Sequence, residues 1–469
     1  HFHYCQDDPK IAASFLGNGN PLAGGTVGQV QSCLTFPYAS SGINGAGGTT
    51  ATIAGIQSQT GAIWGLAYQK STNTLFAAAN IRRHSGLGPL GISGIYKIQN
   101  ASTSPTTSSF FSISSIGAYD FGSDPHTGLP ASKTTPNNDP NAYDQVGRIG
   151  IGDMDISDDG KFLYFVNLKT KKLYAVFINN PFKVPTPLDI EEYTIPNPSC
   201  ANSEFVPYGV KYYKGKLYIG VVCIAQTSKK ISDLKATVYE FNHIIGSFTN
   251  VISGTSFPLN YARGTDFGIS VNWQPWTSST SITHQPILAN IEFDPATNEM
   301  FLGFMDRTAL QWGFQNYGTT GSTLTNGLAS GDILALCSNG TQWTIESNGT
   351  HCLNSSSGSG NGQGPSGGEY FVDYTMNIIG GHDQPIFGGL ALKPGSNAVI
   401  ASVMDPLDQA NSGGVLQFST LNGLKQNPYQ LYQSSDASTF GNSASLGDLE
   451  CLCNPNPIEL GNRVWRDTD

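Results

Sequence analysis

The chain has 469 residues, of which 12% are charged, and its formal net charge at pH 7 is −10. So few charges exclude a coiled coil, a helical repeat or an acidic disordered tail, and the acidic balance argues against nucleic acid or an anionic membrane as a partner. Aromatic residues make up 11%, and 55 Gly and 26 Pro supply many turns, which favours short β-strands. No apolar run approaches the roughly 18 residues of a membrane-spanning helix, so we expect no membrane insertion.

The first residues suggest a metal site. The chain begins at His1 without a methionine, which we interpret as a mature, processed start. A free amine, the amides that follow it and the His3 imidazole are nitrogen donors that suit a square-planar Cu(II) or Ni(II) ion. The alternative interpretation of His1 and His3 is a frayed terminus with two accidental histidines.

A hairpin pattern recurs along the chain. Each copy begins with an apolar residue, in many copies a Gly, and an aliphatic residue, and these open a short strand. A polar turn and a second strand follow. Asn, Asp and Gly stand where a tight turn between antiparallel strands needs them. Five copies lie at 63–78, 151–166, 208–220, 288–303 and 387–401, and a sixth begins at 446 and stops at 451.

Further β-like runs follow the hairpins. Third strands are predicted at 95–98, 173–176, 237–241 and 414–418, and fourth strands at 110–113 and 193–195. Four strands per repeat, with loop insertions, are typical of a β-propeller blade. A β-helix would need shorter and more regular coils, and a sandwich would not repeat one hairpin around the whole chain. We therefore predict an all-β propeller.

The incomplete sixth copy predicts how the ring closes. We expect 446–451 to be the inner strand of a blade whose outer strands are the β-like runs 27–31 and 50–53. This count gives six blades, and seven would require that a long insertion hides one. The propeller would then occupy residues 1–457, with residues 1–60 forming outer strands and an N-terminal extension.

Eight cysteines in a chain of low charge predict disulfides and an oxidising compartment. No C-x-x-C pair is present, so zinc knuckles and thioredoxin-like sites lack their motif. Cys200 with Cys223, and Cys337 with Cys352, flank loops that a bridge can close, and the second pair lies at the base of a Gly/Ser-rich tract at 355–368. We expect the other four cysteines to join the N- and C-terminal segments in an order left open: Cys5, Cys33, Cys451 and Cys453.

Four Asn-x-Ser/Thr sequons are candidate glycosylation sites in exposed loops of a secreted protein. Chance alone gives about as many in a chain so rich in Asn, Ser and Thr. The sequons begin at Asn100, Asn339, Asn348 and Asn354.

Polar residues are concentrated in the loops between second and third strands. In a propeller these B–C loops share one face, and the A–B turns share the other. Brought around the ring, the B–C residues would line a polar pocket at the channel mouth, the usual ligand site of this fold. The alternative is interblade salt bridges and solvated loop charges. The candidate ligand-binding residues are Arg82, Arg83, His84, Asp306, Arg307, Asp405 and Asp408.

Motifs for catalysis are weak. The segment 155–160 resembles the first half of a calcium loop, but Val166 stands where the closing Glu belongs, so we interpret it as an A–B turn. No G-x-S-x-G or H-E-x-x-H motif occurs. A hydrolytic set would require that His84 meets Asp306 or Asp405. We assign no catalytic residue and no cofactor.

Several segments resemble a known family. Residues 82–89, 152–157, 215–223 and 303–308 are similar to the propeller region of very large secreted bacterial surface proteins. In those proteins the propeller precedes B-type repeats like those of serine-aspartate-repeat adhesins, and 458–469 resembles the opening of such a repeat. The resemblance covers about 60–469. It implies an extracellular modular protein without catalytic residues. Asp467 and Asp469 would be the first carboxylates of a Ca²⁺ site in the following repeat, whose remaining ligands are absent from this chain, so we expect no bound ion here.

We therefore expect an extracellular structural or adhesive module of a cell-surface or filament-forming protein. Its partners would be other copies of itself, other surface proteins or glycans. The alternatives are a propeller that binds glycans or proteins through its loop-rich face, and a propeller hydrolase or lyase. Trp273, Trp276 and Trp312 exposed in one groove would favour glycan binding. An open pocket beside four buried and mutually hydrogen-bonded side chains would favour an enzyme: Arg83, His84, Asp306 and Asp405.

Overall fold

The computed structural model describes residues 4–47, 49–178, 183–376 and 381–456. Six antiparallel sheets form the blades of a propeller in this part of the chain. Inner strands contact each other in sequence order, and the last contacts the first. The predicted all-β, six-bladed propeller is thereby confirmed. We letter the strands A to D from the channel outwards.

Blades 1 to 3 follow one another along the chain. Blade 1 contains Ile63–Gln69, Thr74–Ala79, Gly94–Gln99 and Thr106–Ser112. Blade 2 contains Ile151–Ile156, Phe162–Asn167, Lys172–Phe177 and Ile190–Thr194. Blade 3 contains Phe205–Tyr213, Lys216–Cys223, Lys235–Asn242 and Ser247–Asn250, and Phe257–Pro258 also pairs with its strand C.

Long insertions precede blades 4 and 5, and another lies within blade 4. Blade 4 contains Pro286–Phe293, Met300–Asp306, Asp332–Ser338 and Trp343–Ile345. Blade 5 contains Ile386–Leu392, Ala398–Met404, Ser412–Ser419 and Lys425–Gln433, and Gly42–Ile43 pairs in parallel with its strand D. Three small hairpins lie in the insertions, formed by Thr265–Asp266 with Ile269–Ser270, Asn316–Tyr317 with Leu324–Thr325, and Thr350–His351 with Asn354–Ser355.

Blade 6 closes the ring with strands from both ends of the described chain, as predicted. Its inner strand is Leu446–Leu452, and the strands outside it are Lys10–Phe15, Gln31–Pro37 and Thr52–Ile56. The predicted strand at 27–31 is wrong, because Thr26–Gln29 is a 3₁₀ helix. Lys10–Phe15 was not predicted as a strand, because its residues are buried on both faces of the sheet and therefore show no alternation of apolar and polar side chains.

Helices in the described residues are short. The α-helices are Gln57–Thr60, Ile113–Ile116 and Arg307–Gln311. The 3₁₀ helices are Thr26–Gln29, Lys70–Thr72, Gly91–Ser93, Pro140–Gln145, Pro187–Asp189, Ala201–Ser203, Ile231–Asp233, Pro365–Gly367 and Gly441–Ser443. None of these helices has the length and apolar character needed to cross a bilayer.

Glycines allow the inner strands to approach one another closely. A Cβ added to Gly65 would lie 2.7 Å from the main-chain nitrogen of Met154, and one added to Gly209 would lie 2.9 Å from that of Asn290. Such contacts are too short for any side chain, so the two positions require glycine.

Three disulfides are present. Cys200–Cys223 and Cys337–Cys352 are bonded as predicted. Cys5–Cys453 joins the two ends of blade 6. The prediction is wrong for Cys33 and Cys451, which are buried free thiols because they pack into different apolar clusters of the core.

Candidate functional site

Polar side chains line the central channel in two layers. On each strand A the third and fifth residues of the repeat lie on the same face, because side chains alternate along a strand. When the copies are aligned on their hairpins, blades 1, 3 and 5 have Gly at the third position, and the aligned fifth residue is Ala67, Lys211 or Ala391. Blades 2, 4 and 6 carry an Asx residue and then an acid, and these pairs are Asp153 with Asp155, Asn290 with Glu292, and Asp448 with Glu450.

Two of these carboxylates cap the free edge of the neighbouring blade. Strand A is the inner edge of its sheet, so some of its N–H groups lack a strand partner and need an acceptor. The main-chain N–H of Val210 donates to Asp153 Oδ2 at 3.0 Å, and that of Tyr212 donates to Asp155 Oδ2 at 2.6 Å. Both acids therefore connect blade 2 to blade 3.

Asp448 connects three blades. Its Oδ2 accepts a hydrogen bond from the main-chain N–H of Leu66 in blade 1 at 2.8 Å. Its Oδ1 accepts from the side-chain amide of Asn290 in blade 4. Asp448 is 1% exposed, and burial raises its pKa well above the ordinary value. The inner layer is thus a buried polar network that holds the ring together.

Lys211 lies in the outer layer among carboxylates. Its Nζ is 2.8 Å from Glu292 Oε1, and its side chain is 21% exposed. Burial opposes its charge, but Glu292 and Asp155 raise the pKa of Lys211 well above its ordinary value. Burial raises the pKa of Glu292 to about 7, against the lowering effect of Lys211. An acid with such a pKa exchanges protons near neutral pH.

A cavity of about 380 Å³ opens at this end of the channel, on the face of the A–B turns. Its walls include Asp155, Lys211, Glu292 and Glu450, and turn residues from 69–71, 157–160 and 212–214 form its rim. With the rim residues included, five carboxyl groups and three ammonium groups line the cavity, so acidic groups are in excess. Chemically, the arrangement suits a small polar or cationic ligand, or proton transfer through Glu292.

The B–C face, where the sequence predicted the ligand pocket, is filled. The side chains of Arg82, Arg83, His84, Asp306, Arg307 and Asp405 are brought to this face, but each residue is 0% exposed. Only Asp408 among the seven candidates is exposed, and its Oδ1 accepts a hydrogen bond from the Met376 N–H at 2.6 Å. The pocket prediction is corrected here, because insertions between and within the blades cover these residues.

Arg82 and Arg83 hold the insertions together. Arg82 donates to the carbonyls of Ala309 and Ser443 at 3.2 and 2.9 Å, and Arg83 donates to that of Gln311 at 2.8 Å. Arg83 also reaches the carbonyls of Asn138 and Tyr317, and the Arg82 guanidinium lies 3.2 Å from the centre of the Phe440 ring. A planar guanidinium with five donors suits this linking of several loops.

Arg307 and Arg263 each cover a tryptophan. The Arg307 guanidinium lies 4.4 Å from the Trp276 ring centre, and that of Arg263 lies 3.6 Å from the Trp273 ring centre. Trp273 and Trp276 are 0% and 1% exposed, and Trp312 is half-buried. The exposed aromatic groove that would favour glycan binding is therefore not formed by these three tryptophans.

The proposed hydrolytic residues do not meet. His84 Nδ1 is 2.8 Å from Asn137 Oδ1. Asp306 Oδ2 is 2.7 Å from His284 Nδ1, and its Oδ1 caps the helix Arg307–Gln311 by accepting from Thr308 N. Each group thus has its own structural partner.

Asp405 pairs with a different histidine. Its Oδ2 is 3.2 Å from His382 Nε2, and Asp266 Oδ1 is 3.1 Å from His382 Nδ1. Burial opposes the charge of this ring, but the hydrogen bonds to Asp266 and Asp405 raise the pKa of His382 to about 9. Nothing in the spacing of Asp266, His382 and Asp405 along the chain predicts this buried ion triad.

The remaining candidates are surface or terminal residues. Asn100, Asn339 and Asn348 are exposed, and Asn354 is half-buried. The other four candidates lie outside the described residues, as does the predicted start of a following repeat at 458–469: His1, His3, Asp467 and Asp469.

The aligned hairpins contain a pattern that predicts the polar channel. Aligned on their hairpins, the second, fourth and sixth copies read Asp-Met-Asp, Asn-Ile-Glu and Asp-Leu-Glu at positions three to five, and the other copies begin with Gly there. A polar residue two positions before an acid, on a strand destined for the ring centre, predicts a polar channel.

No family model matches the chain. It is similar to three proteins of Dictyostelium discoideum: Colossin-A with 27% identity over 489 residues, Colossin-B with 26% over 495 and Colossin-D with 26% over 471. These matches cover 99%, 99% and 96% of this chain. The chain spans 4%, 12% and 46% of the lengths of those relatives.

Solved structures of low sequence identity also align. A putative 6-phosphogluconolactonase from Bacteroides fragilis aligns with a TM-score of 0.40 and 10% identity, over 95% of this chain and 98% of that one. The β-propeller domain of Swd1 from Myceliophteria thermophila aligns with a TM-score of 0.37 and 7% identity, over 93% and 90%.

Proposed function

We propose that this propeller is an extracellular structural or adhesive module of a larger cell-surface or filament-forming protein. The main support for the proposal is that the buried arginines on the B–C face connect loops of different blades. Arg82, Arg83 and Arg307 donate to main-chain carbonyls of loops from different blades, so the residues best suited to ligand binding fix the loops instead. A face built in this way is rigid and suits packing against a partner.

The closure of blade 6 supports a mechanical role. Cys5 and Cys453 are 448 residues apart in the chain, so their bond encloses almost the whole propeller in one covalent ring. A pull applied to the two ends is borne by this bond before any strand of the propeller separates. Such a module transmits tension without unfolding.

The compartment and the context fit this role. Three disulfides are typical of an oxidising, extracellular environment. The similar colossins are much longer than this chain, which supports one module among several. We include in the proposal the resemblance to bacterial surface proteins, with 458–469 as the start of a B-type repeat. The partners would be other copies, other surface proteins or glycans.

A hydrolase or lyase is the second candidate, and the channel mouth is what favours it. Glu292, with a pKa of about 7, lies beside Lys211 in an open cavity of about 380 Å³. An acid poised near neutral pH beside an ammonium group is a recognised arrangement for proton transfer.

Two measurements test the proposal on the 469-residue chain. Single-molecule extension between the two ends is expected to show no lengthening of the propeller in the wild type, and lengthening at low force in Cys5→Ser. A screen for turnover of glycans, esters and peptides is expected to find none. Turnover that is lost in Glu292→Gln while folding is retained would replace the structural role by the enzymatic one. Early lengthening of the wild type would contradict the mechanical role.

A further inference from the structure

A free thiol lies beside the disulfide that closes the ring. The Sγ of Cys451 is 3.6 Å from the Sγ of Cys453, and the sulfurs of Cys5, Cys451 and Cys453 all lie within 4.8 Å of one another. The N–H of Cys453 donates to the carbonyl of Cys451 at 3.0 Å. This tight turn at the end of strand A brings the two sulfurs together.

Thiol–disulfide exchange needs a thiolate within reach of a disulfide sulfur and a second thiol as leaving group. We propose that Cys451 is an internal exchange thiol for the Cys5–Cys453 bond, which allows the ring to be closed through either cysteine of the C-x-C pair. This inference does not depend on the proposed structural or enzymatic role.

The reaction is balanced within the chain. The Cys451 thiol loses its proton, and its thiolate attacks the Sγ of Cys5. A Cys5–Cys451 bond forms as the Cys5–Cys453 bond breaks, and Cys453 leaves as a thiolate that takes up a proton. No electron is gained or lost overall, so no external oxidant or reductant is required. Both products keep the two ends of blade 6 joined.

The surroundings of Cys451 keep it protonated in the resting protein. Burial raises the pKa of Cys451 well above its ordinary value, and Glu450 and Glu292 add to this effect against Lys70 and Lys211. The thiol is therefore neutral at rest, and exchange requires that it be deprotonated. Cys451 and Cys453 both form part of the wall of the channel-mouth cavity, so the site of exchange is next to solvent.

Cys33 provides a matched control. It is also a buried free thiol, and burial raises its pKa to about 12. It lies on strand C of blade 6 and packs into a different apolar cluster from Cys451. A reaction that depends only on the presence of a buried thiol would involve both residues, whereas the proposed exchange involves Cys451 alone.

The experiment uses the 469-residue chain, produced under oxidising conditions. The folded wild type is incubated at mildly alkaline pH, free thiols are blocked with N-ethylmaleimide in acid denaturant, and bonded peptides are mapped without reduction. We expect Cys5 to be found bonded to Cys451 as well as to Cys453, with Cys33 alkylated throughout. In Cys33→Ser the same two bonds are expected, and in Cys451→Ser only Cys5–Cys453.

A second variant removes the present partner of Cys5. In Cys453→Ser the partner of Cys5 is expected to shift to Cys451 in most molecules, with circular dichroism verifying that the fold is retained. The proposal is overturned if the incubated wild type yields no Cys5–Cys451 bond, whether Cys5 stays bonded to Cys453 alone or a Cys451–Cys453 bond leaves Cys5 alkylated. It is also overturned if folded Cys453→Ser leaves Cys5 and Cys451 both alkylated. The experiment on the wild type tests the proposal even if Cys453→Ser does not fold.

Discussion

Asp448 accepts a hydrogen bond from the main-chain N–H of Leu66, 382 residues earlier in the chain, at 2.8 Å. The two residues belong to the last and the first inner strands of the ring. Sheet pairing within blade 6 joins the chain ends, and this contact joins blade 6 to blade 1. Inner strands of a propeller do not hydrogen-bond to one another as a sheet, so side chains from alternate blades make that connection.

Replacing Asp448 by Ala is therefore expected to destabilise the ring. The change leaves the buried N–H of Leu66 and the amide of Asn290 without their acceptor, and each buried unsatisfied group costs about 1–3 kcal/mol. Urea unfolding would measure the loss. Asp158→Ala, at an exposed turn position of blade 2, is the control and is expected to change stability by less than about 0.5 kcal/mol. Equal effects of both changes would contradict the proposed role.

The sequence predicted the strands that repeat and missed those that do not. The hairpins at the ring centre carry the same pattern in every copy, because each meets the same crowded environment. Asp332–Ser338 follows the insertion at 307–331, so no common spacing marks it. Lys425–Gln433 shows no alternation of buried and exposed residues. Lys10–Phe15 is buried on both faces and has no alternation.

The candidate site was predicted in the wrong place for a physical reason. Arg82, Arg83 and His84 were expected to line an open polar pocket, because charged residues in loops usually face solvent. Their burial depends on insertions that contribute Asn137, Gln311 and other partners from distant blades. A single sequence contains no record of those long-range contacts. The channel acids, by contrast, were visible in the aligned copies.

His382 is expected to be protonated at neutral pH. Its pKa is raised to about 9 from an ordinary value of 6.5 by Asp266 and Asp405. A raised pKa of a histidine stabilises the fold fully below about pH 6.5, and this contribution is lost as the pH rises towards 9. His382→Asn is expected to lose about 3–5 kcal/mol near pH 6, because two buried carboxylates lose the cation between them.

The check is unfolding by denaturant as a function of pH. The difference between the wild type and His382→Asn should shrink between about pH 6.5 and pH 9. His243→Asn, which alters a partly exposed pair with Glu191, serves as the control with no comparable shrinkage. A difference that stays constant over this window would show that His382 is neutral in the folded protein.

Glu369 gives a second, separable pH dependence. Burial, followed by the nearby charge of Asp332, raises its pKa to about 8, while Asn361 and Gln384 donate to its oxygens at 2.8 and 3.2 Å. An acid whose pKa is raised in the folded state destabilises that state as the pH rises from about 4.5 towards 8. Each unit of difference corresponds to about 1.4 kcal/mol.

Glu369→Gln removes this titration while keeping the size of the side chain. We expect the free energy of unfolding of the variant to change less than that of the wild type between pH 5 and pH 8. This is the pH interval in which the raised pKa of Glu369 destabilises the folded wild type. Glu240→Gln, which removes a partly exposed pair with Lys216, is the control. Parallel pH profiles for the wild type and Glu369→Gln would show that Glu369 titrates at its ordinary pKa.

Arg307 tests whether the B–C face is held together by guanidinium groups. Its Nε donates to the carbonyl of Val146 at 2.9 Å, and its Nη2 and Nη1 donate to those of Asp144 and Thr277 at 2.8 and 3.1 Å. Lysine keeps the charge but lacks the planar fork that reaches three carbonyls at once. Arg307→Lys is expected to cost about 2–4 kcal/mol, since hydrogen bonds to charged groups contribute about 1.5–3 kcal/mol each.

We expect Arg307→Lys to loosen the loops that it contacts without unfolding the whole propeller. Hydrogen exchange in Arg307→Lys is expected to accelerate at 140–150 and 277–285, and to stay unchanged in the A and B strands of blade 2. Arg148→Lys is the matched control, because Arg148 also pairs with Asp144 but is partly exposed, and such pairs contribute at most about 1 kcal/mol. If Arg307→Lys left exchange in both loops unchanged, the rigid face inferred for this propeller would lack its main support. Acceleration confined to the two loops would identify the guanidinium as the group that connects them. The lysine variant keeps the positive charge, so charge alone would then not be sufficient for this connection.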